Sequence, residues 1–179
     1  MTSQDKKLIK KIKKGNQRAF KQLYEIHSNY ALRTAYAITR NQSDASDIVQ
    51  ETFIRVYRNI DSFDVSKPFK PWFYQILINE SKRYLKKMSQ VEMNVEFEHV
   101  LDYLFYFSNE GDMSIREDIE WGIEQLDEIH RLVITLKYLN GFSVKEIAEM
   151  LEVNVNTIKS RLFKGRKQLK LILGGTNNE

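Results

Sequence analysis

Apolar residues recur every three or four positions along most of this chain, which is typical of amphipathic helices. A short first helix is predicted up to the break at Gly15-Asn16, and a longer one follows from Gln17. The turn Asn41-Gln42-Ser43 precedes a third helix, for which we expect Ser43 to be the N-cap. The inward positions of the third helix are Ala45, Ile48, Val49, Phe53 and Val56.

The segment from Ile60 to Pro71 contains both prolines of the chain. It is predicted to be a loop, because a residue that precedes proline disfavours helical geometry. Pro71 itself suits the first turn of the helix that follows. That helix begins with three adjacent aromatic residues and continues with cations: Trp72, Phe73, Tyr74, Lys82, Arg83, Lys86 and Lys87. Such rings can stack on single-stranded nucleic acid or form a core, and the pattern alone leaves both interpretations open.

Near the end of the chain, the pattern predicts two short helices joined by a tight turn. Ser143 and Glu146 form a capping-box pair that begins the first of them. Its apolar face consists of Val144, Ile147, Ala148 and Leu151. Asn154 is placed to cap the second helix. This spacing is that of a helix-turn-helix.

The second of these helices has an apolar side and a polar, basic side. The apolar side consists of Ile158, Leu162, Gly165 and Leu169. The opposite side carries Asn156, Ser160, Phe163, Lys164 and Lys167. Amides and long cationic side chains can reach base edges in a major groove, and neighbouring cations can bind phosphates. The alternative is a solvated amphipathic helix that closes a small core.

Charge is segregated along the chain. Residues 1–88 carry 18 Lys+Arg and 8 Asp+Glu, residues 89–130 carry 1 and 12, and residues 131–179 carry 9 and 4. Basic blocks attract polyanions largely independently of sequence. An ordinary solvated surface would mix the two signs, so this distribution favours two modules that face nucleic acid, with an acidic linker between them.

The composition argues against several other kinds of chemistry. The chain has no cysteine, which excludes disulfides and thiolate metal sites, and its three histidines show no ligand spacing. We therefore expect no metal and no cofactor. The N-terminal residues lack the apolar core of a signal peptide, and no apolar run reaches the roughly 18 residues that span a bilayer. A cytoplasmic protein without direct membrane insertion is expected.

Three segments resemble, in order and spacing, a bacterial sigma factor of the extracytoplasmic-function (ECF) group. The segment DASDIVQETFIRVY, residues 44–57, is similar to the helix that docks on the clamp of core RNA polymerase. FKPWFYQILINESKRYL, residues 69–85, is similar to the helix that faces the minus-10 promoter element. Residues 134–169, with YLNGFSVKEIAEMLEV and TIKSRLFKGRKQL, resemble the domain that binds the minus-35 element.

The resemblance implies an all-α protein of two small helical domains and a non-enzymatic role in transcription initiation. A domain at residues 1–88 would bind core polymerase and the minus-10 element. An acidic linker at 89–118 would connect it to a helix-turn-helix domain at 119–174, which binds the minus-35 element. The implied partners are core RNA polymerase, promoter DNA and an anti-sigma factor, with no small-molecule substrate.

The resemblance also assigns site residues. Polymerase would be contacted by Asp47, Gln50, Glu51 and Arg55. The loop from Ser62 to Lys70 would capture an unpaired promoter base, and the minus-10 set is Ser62, Phe63, Lys70, Trp72, Asn79, Lys82 and Lys86. The minus-35 set is Asn156, Thr157, Lys159, Ser160, Phe163, Lys164 and Lys167. Two residues depart from the family pattern and leave the minus-10 preference open: Arg83 stands in place of the usual acid and Leu77 in place of a frequent alanine.

Other interpretations of the residues remain. Early acids and late arginines in the third helix also suit the helix dipole, so a docking face is not the only explanation for them. A stand-alone helix-turn-helix regulator would leave the aromatic and basic first domain without a role. A nucleic-acid enzyme would need clustered carboxylates or histidines, and Asp44 and Asp47 have no such neighbours in sequence.

The acidic linker is more apolar than a disordered tether needs to be. Its apolar residues are Val95, Phe97, Val100, Leu101, Tyr103, Leu104, Phe105 and Phe107. It could thread a basic channel of the polymerase, fold back on a domain, or meet an inhibitory partner. We hypothesise that its acidity keeps the free protein off DNA, in which case neutralising Glu92, Glu96 and Glu98 would raise promoter-independent DNA affinity.

Overall fold

The computed structural model describes residues 3–88 and 113–175, with side chains described for 4–87 and 119–173. The regular elements in those ranges are all helical, which confirms the predicted all-α class. The chain divides into two compact units, Met1–His99 and Val100–Glu179. The apolar and acidic residues singled out between 89 and 112 lie outside the described residues, so the hypotheses about the linker stay predictions.

In the first unit, the described residues form four α-helices and one short 3-10 turn. They are α1 (Ser3–Ile12), α2 (Gln17–Thr39), α3 (Gln42–Asn59), the 3-10 turn (Ile60–Ser62) and α4 (Phe69–Met88). α3 packs against both α2 and α4 and is the central element. All of its predicted inward residues are buried, which confirms the predicted phase of this helix.

The first helix is held to the others by apolar side chains and by one buried polar pair. Its buried apolar residues are Leu8, Ile9 and Ile12. Asp5 Oδ1 lies 3.0 Å from His27 Nε2 on α2, and less than a tenth of either side chain is exposed. The rings of Phe69 and Phe73 on α4 lie beside His27, with centroids 5.3 and 5.8 Å away. α1 is therefore part of the core of this unit.

The predicted N-cap of α3 is wrong. The cap is Asn41, whose side-chain Oδ1 accepts a hydrogen bond from the Asp44 backbone N–H at 3.0 Å. Asn41 has extended backbone angles, φ −135° and ψ 128°, which allow its carboxamide to reach that N–H. Ser43 is an exposed residue inside the first turn of the helix. Asparagine and serine cap helices almost equally well, so capping preference alone does not distinguish Asn41 from Ser43.

The predicted loop also ends earlier than expected, because α4 begins at Phe69. Pro71 lies in the first turn of that helix, where a missing N–H costs nothing, as predicted. Lys70, however, is helical although it precedes a proline. The reason is tertiary: Phe69 is fully buried, and its ring packs against those of Phe63 and Phe73 at 5.9 and 5.7 Å.

In the second unit, the described residues form four more α-helices. They are α5 (Met113–Glu124), α6 (Glu128–Ile134), α7 (Val144–Leu151) and α8 (Val155–Gly175), and α6 continues into a π-helical segment, Thr135–Leu139. α5 thus begins inside the stretch that was predicted to be linker. α8 packs against α5, α6 and α7, so this single helix organises the unit.

The predicted caps of the helix-turn-helix are confirmed, although its second helix is longer than predicted, at 21 residues. Ser143 Oγ accepts from the Glu146 backbone N–H at 3.2 Å, and the Glu146 carboxylate accepts from the Ser143 N–H at 2.8 Å. Asn154 Oδ1 accepts from the Thr157 N–H at 2.8 Å and thereby caps α8. Glu152 takes the left-handed conformation, with φ 57°, at the end of α7.

The apolar side of α8 lies against α6 at close range. Ile158 and Leu162 are buried, and Gly165 is buried between them and the end of the helix. A Cβ atom on Gly165 would lie 3.1 Å from Ile134 and 3.3 Å from His130. The glycine therefore permits close approach of α6 and α8, which turns the opposite side of α8 outward.

Candidate polymerase and nucleic-acid interfaces

The predicted polymerase face of α3 has two exposed and two half-buried residues. Asp47 and Gln50 are exposed. Glu51 and Arg55 form an ion pair one turn apart, with 3.1 Å between Glu51 Oε1 and Arg55 Nε. Asp47 and Gln50 are thus presented directly to a partner, whereas Glu51 and Arg55 already bind each other.

Arg55 makes a second ion pair that sequence reasoning missed. Its Nε lies 2.8 Å from Oε1 of Glu80 on α4, and the Glu80 side chain is only 7% exposed. The other carboxylate oxygen of Glu80 lies 3.2 Å from Arg83 Nη1. Glu80 is thus shared by two arginines, and Arg83, which departs from the family pattern, has a structural partner. The spacing of three residues between Glu80 and Arg83 could have predicted their ion pair from the sequence. Nothing in the sequence indicated the ion pair between Glu80 and Arg55 of α3.

A hydrogen bond fixes the other end of the contact between α3 and α4. The Tyr84 hydroxyl donates to Asp44 Oδ1 at 2.6 Å. This hydrogen bond, together with partial burial and the charge of Asp44, raises the pKa of Tyr84 to about 12. The predicted polymerase face and the predicted minus-10 helix are thus connected by two sets of polar contacts.

Three of the predicted minus-10 residues on α4 share an exposed side of the helix. Asn79, Lys82 and Lys86 are exposed at spacings of three and four residues. Ser62 is exposed at the end of the 3-10 turn. Lys70 is partly exposed, and its Nζ lies 5.7 Å from the centroid of the Tyr30 ring. Asn79, Lys82 and Lys86 can therefore reach a strand that passes over α4, whereas Lys70, nine residues before Asn79, lies on the other side of the helix.

The aromatic residues at the start of α4 divide into core and surface. Phe73 and Tyr74 are fully buried, so the core interpretation holds for both. Trp72 is half-buried and packs on Phe63, with ring centroids 4.6 Å apart. Phe63 is only 5% exposed, although it belongs to the predicted minus-10 set. Its placement favours a structural role for that ring, and Trp72 is the ring at this end of α4 with partly exposed surface.

The tip of the loop between the 3-10 turn and α4 has a local turn of its own. Asp64 Oδ1 accepts from the Ser66 N–H at 2.9 Å, and the Lys67 N–H donates to the Asp64 carbonyl at 3.0 Å. These bonds form a turn initiated by an aspartate side chain. Hydrogen bonds from Ser66 hold the pKa of Asp64 below its usual value, so the carboxylate remains charged at neutral pH.

The outer side of α8 carries the predicted minus-35 residues together. Its exposed members are Asn156, Lys159, Ser160, Phe163, Lys164 and Lys167. Phe163 is 63% exposed, an unusual environment for a large apolar ring. Thr157 differs from the rest, because its hydroxyl lies 3.1 Å from Asn154 Oδ1 and contributes to the cap. The structure therefore brings all of the predicted set to one helix and assigns Thr157 a structural contact as well.

A groove of about 770 Å³ runs between this side of α8 and the start of α6. Asn156, Ser160 and Lys164 line one wall of the groove, and Asp127 lies on the other. Partial burial would raise the pKa of Asp127, but hydrogen bonds from the backbone and ring of His130 more than offset this and lower it. A fixed negative charge thus borders the basic face of α8.

Over residues 3–88 and 113–175, no group of three or more His, Asp or Glu side chains is arranged to hold a metal ion. Nor do those ranges contain a helix with the length and apolar character to cross a membrane.

Comparison with known proteins matches both units. The family model for Sigma-70 region 2 matches residues 23–90, and that for Sigma-70 region 4 matches residues 116–169. The ECF RNA polymerase sigma factor SigW of Bacillus subtilis is 35% identical over 176 residues, covering 92% of this chain and 94% of that protein. The chain belongs to the ECF sigma factors. In this family, regions 2 and 4 are parts of a transcription initiation factor, and here they correspond to α2–α4 and α5–α8.

Solved sigma-factor structures have the same fold. The structure of CnrH in complex with the cytosolic domain of CnrY matches with a TM-score of 0.68 at 25% identity, covering 97% of this chain and 99% of that one. The sigma factor RpoE of Bartonella quintana, in complex with the anti-sigma factor NepR, matches with a TM-score of 0.68 at 26% identity, covering 87% and 96%.

Proposed function

We propose that this ECF sigma factor directs core RNA polymerase to promoters by three contacts. α3 docks on the polymerase, the loop and α4 hold the opened minus-10 strand, and the outer side of α8 reads the minus-35 duplex. In this proposal, residues 1–88 and 119–174 are the two working domains. The observation that carries it is that most residues of the three predicted sets are exposed, on α3, on α4 and on α8.

The docking step would rest on Asp47 and Gln50 first, because they are exposed and available. Glu51 and Arg55 would contribute after exchanging their mutual ion pair for contacts with polymerase. Such an exchange costs little for Glu51, since an ion pair one turn apart on a helix stabilises it by only about 0.3–0.5 kcal/mol. Arg55 would keep its ion pair with Glu80, and the exposed part of its guanidinium would contact the polymerase.

For the minus-10 element, cations of α4 would bind the phosphates of the displaced strand, and the loop would hold one base out of the stack. Asn79 offers an amide that can read a base edge, between Lys82 and the loop. Exposed ring surface at Trp72 supplies a stacking platform, which stabilises single-stranded DNA by about 1–3 kcal/mol per base.

At the minus-35 element, α8 would enter the major groove with its N-terminal half. Asn156, Ser160 and Lys164 lie in that half of the helix. They line one wall of the protein's own surface groove, and Asp127 lies on the other wall. The negative charge of Asp127 would repel phosphates on that side, and so restrict the orientation in which DNA approaches. Phe163 can contact a thymine methyl group or sugar edges.

The proposed action is non-covalent and uses no catalytic side chain of its own. Because core polymerase and promoters lie in the cytoplasm of a bacterium, the proposed function places the protein there. An anti-sigma factor is a further proposed partner. What supports it is the similarity to the RpoE structure that contains NepR.

Transcription with purified components tests the proposal. The protein and core polymerase are mixed with a fragment library of the host genome, and the initiated transcripts are sequenced. We expect start sites that share a minus-10 and a minus-35 element. Duplex DNA binding without any recruitment of polymerase would instead identify a stand-alone regulator.

The docking surface needs a matched pair of variants. Asp47→Lys should weaken binding to core polymerase at least tenfold while the protein stays folded, because an exposed acid is reversed at the centre of the surface. Glu25→Lys makes the same charge change on α2, where Glu25 is exposed and pairs only loosely with Lys21 at 4.0 Å. Equal affinity of both variants for core polymerase would remove α3 as the docking surface.

A further inference from the structure

Lys13 connects the first helix to the segment that leads into the promoter-facing loop. It follows α1, and its Nζ donates to the carbonyl oxygen of Asp61 at 2.8 Å and to that of Phe63 at 2.7 Å. These acceptors lie 48 and 50 residues further along the chain. We propose that Lys13 is a positioning residue that holds this segment in the conformation that captures the unpaired promoter base. The inference rests on the function proposed above.

The donor is held firmly in place. The Lys13 N–H donates to the Ile9 carbonyl at 2.9 Å, and the Gly15 N–H donates to that of Ile12 at 2.8 Å. Gly15 has φ 82°, a left-handed conformation that lets the chain turn tightly here. Near the other end of α1, the buried pair of Asp5 and His27 fixes this helix to α2. Because the backbone at Lys13 is already fixed, these bonds cost less backbone entropy than the same bonds from a lysine at a frayed helix end.

The acceptors need such a donor. Asp61 lies in the 3-10 turn and Phe63 directly follows it, where carbonyls are left without partners inside the helix. A hydrogen bond from an ammonium is about twice as strong as one between neutral groups. Of the two bonds, the one to Phe63 is partly buried and is therefore partly shielded from water, whereas the one to Asp61 is exposed.

Together these contacts fix one end of the loop. The Phe63 ring is packed on Trp72, and the Phe63 carbonyl is held by Lys13. At the other end, Phe69 is fully buried at the start of α4. Residues 64–68 between these anchors are mostly exposed. A loop held at both ends loses less entropy when it binds a ligand than one that is free at one end.

The neighbouring lysine provides the matched control. Lys14 is exposed, and no hydrogen bond or ion pair of its side chain is found among the described residues. Lys13→Met and Lys14→Met remove the same charge from adjacent positions, whereas only the first removes the two bonds to the loop. Lys13→Arg keeps a cationic donor at the position.

The first measurement uses the holoenzyme reconstituted with core polymerase. Its probe is a fork-junction DNA whose unpaired minus-10 segment was selected by the wild-type holoenzyme from a randomised pool. We expect Lys13→Met to bind this probe about tenfold more weakly, with Lys14→Met within about twofold of wild type. Affinity for core polymerase should be unchanged in both variants, and Lys13→Arg should recover most of the loss.

The second measurement needs no DNA. The chain has two tryptophans, so Trp121→Phe in every variant leaves Trp72, which packs on Phe63, as the reporter. Lys13→Met should increase acrylamide quenching of Trp72, and Lys14→Met should not.

Equal probe binding by the two methionine variants would overturn the inference and leave the proposed function standing. The inference would also be overturned if Lys13→Met lost core polymerase to the same extent as the probe. Failure of the wild-type holoenzyme to select any sequence would overturn the proposed promoter contact, and this inference with it.

Discussion

The two units present their candidate binding surfaces in different ways. In the second unit, one regular helix, α8, carries the whole set, and its neighbours only fix which side faces outward. In the first unit, the surfaces are assembled across elements: Arg55 of α3 pairs with Glu80 of α4, and Lys13 holds the start of the loop. A surface carried by one helix follows from helical periodicity, whereas an assembled surface depends on contacts that periodicity does not contain.

The largest effect is expected where the first unit is assembled. Glu80→Ala should reduce the free energy of unfolding by about 3 kcal/mol, because it leaves half-buried Arg55 without its partner on α4. Urea unfolding followed through Trp72 fluorescence, with Trp121→Phe in every variant, measures the loss. Glu51→Ala is the control, since this carboxylate is 43% exposed and should cost less than about 1 kcal/mol. Equal losses would mean that the contact between α3 and α4 does not hold this surface.

In the second unit, substitutions on the outer side of α8 should weaken DNA binding and leave the fold unchanged. Lys164→Ala should cost about 1–3 kcal/mol on the preferred minus-35 duplex and much less on scrambled DNA, because Lys164 lies beside the groove. Lys167→Ala should weaken both duplexes alike and reduce the salt slope by about one unit, as expected for a phosphate contact. Holoenzyme binding to both duplexes across a salt series distinguishes the two. If Lys164→Ala loses affinity equally on both, that lysine binds phosphate only.

Serine-to-alanine substitutions near the helix caps of the two units should have a smaller effect on stability. Ser143→Ala should destabilise the second unit by about 1 kcal/mol, because it removes the acceptor of the capping box. Ser43→Ala should change the first unit by less than about 0.5 kcal/mol, because Asn41 is the cap there. Thermal unfolding of both variants, followed by circular dichroism, compares them. A larger loss for Ser43→Ala would restore the cap that the sequence had suggested.

The smallest effect is expected at high pH in the first unit. The pKa of Tyr84 is raised to about 12 by its hydrogen bond to Asp44, so the stability that this bond contributes is complete below pH 10. It is lost as the pH rises from 10 through 12, when the folded protein also loses the proton. Tyr84→Phe should therefore cost under about 1 kcal/mol at pH 7 and still less at pH 11.5. A pH-independent difference in urea unfolding would exclude this hydrogen bond as the cause.

The sequence predicted features that are local to one helix better than it predicted contacts between helices. The phase of α3, the capping box at Ser143 and the outward set on α8 are local features, and each was predicted correctly. The N-cap at Asn41 was missed because two good capping residues lie in one turn. The start of α4 was missed because a buried phenylalanine outweighs the local effect of proline. Glu80 and the burial of Phe63 were missed because their partners lie on other elements.

The buried pair of Asp5 and His27 has a consequence for synthesis of the chain. α1 leaves the ribosome before α4, yet the rings that lie beside His27 belong to Phe69 and Phe73 of α4. Since translation proceeds at about 5–20 residues per second, α1 waits several seconds before those rings emerge. During that interval, the side chains of α4 are still missing from the core that α1 and α2 help to form. The first unit should therefore complete its core only after α4 has been made, and a chain interrupted before Phe69 would be a substrate for chaperones or proteases.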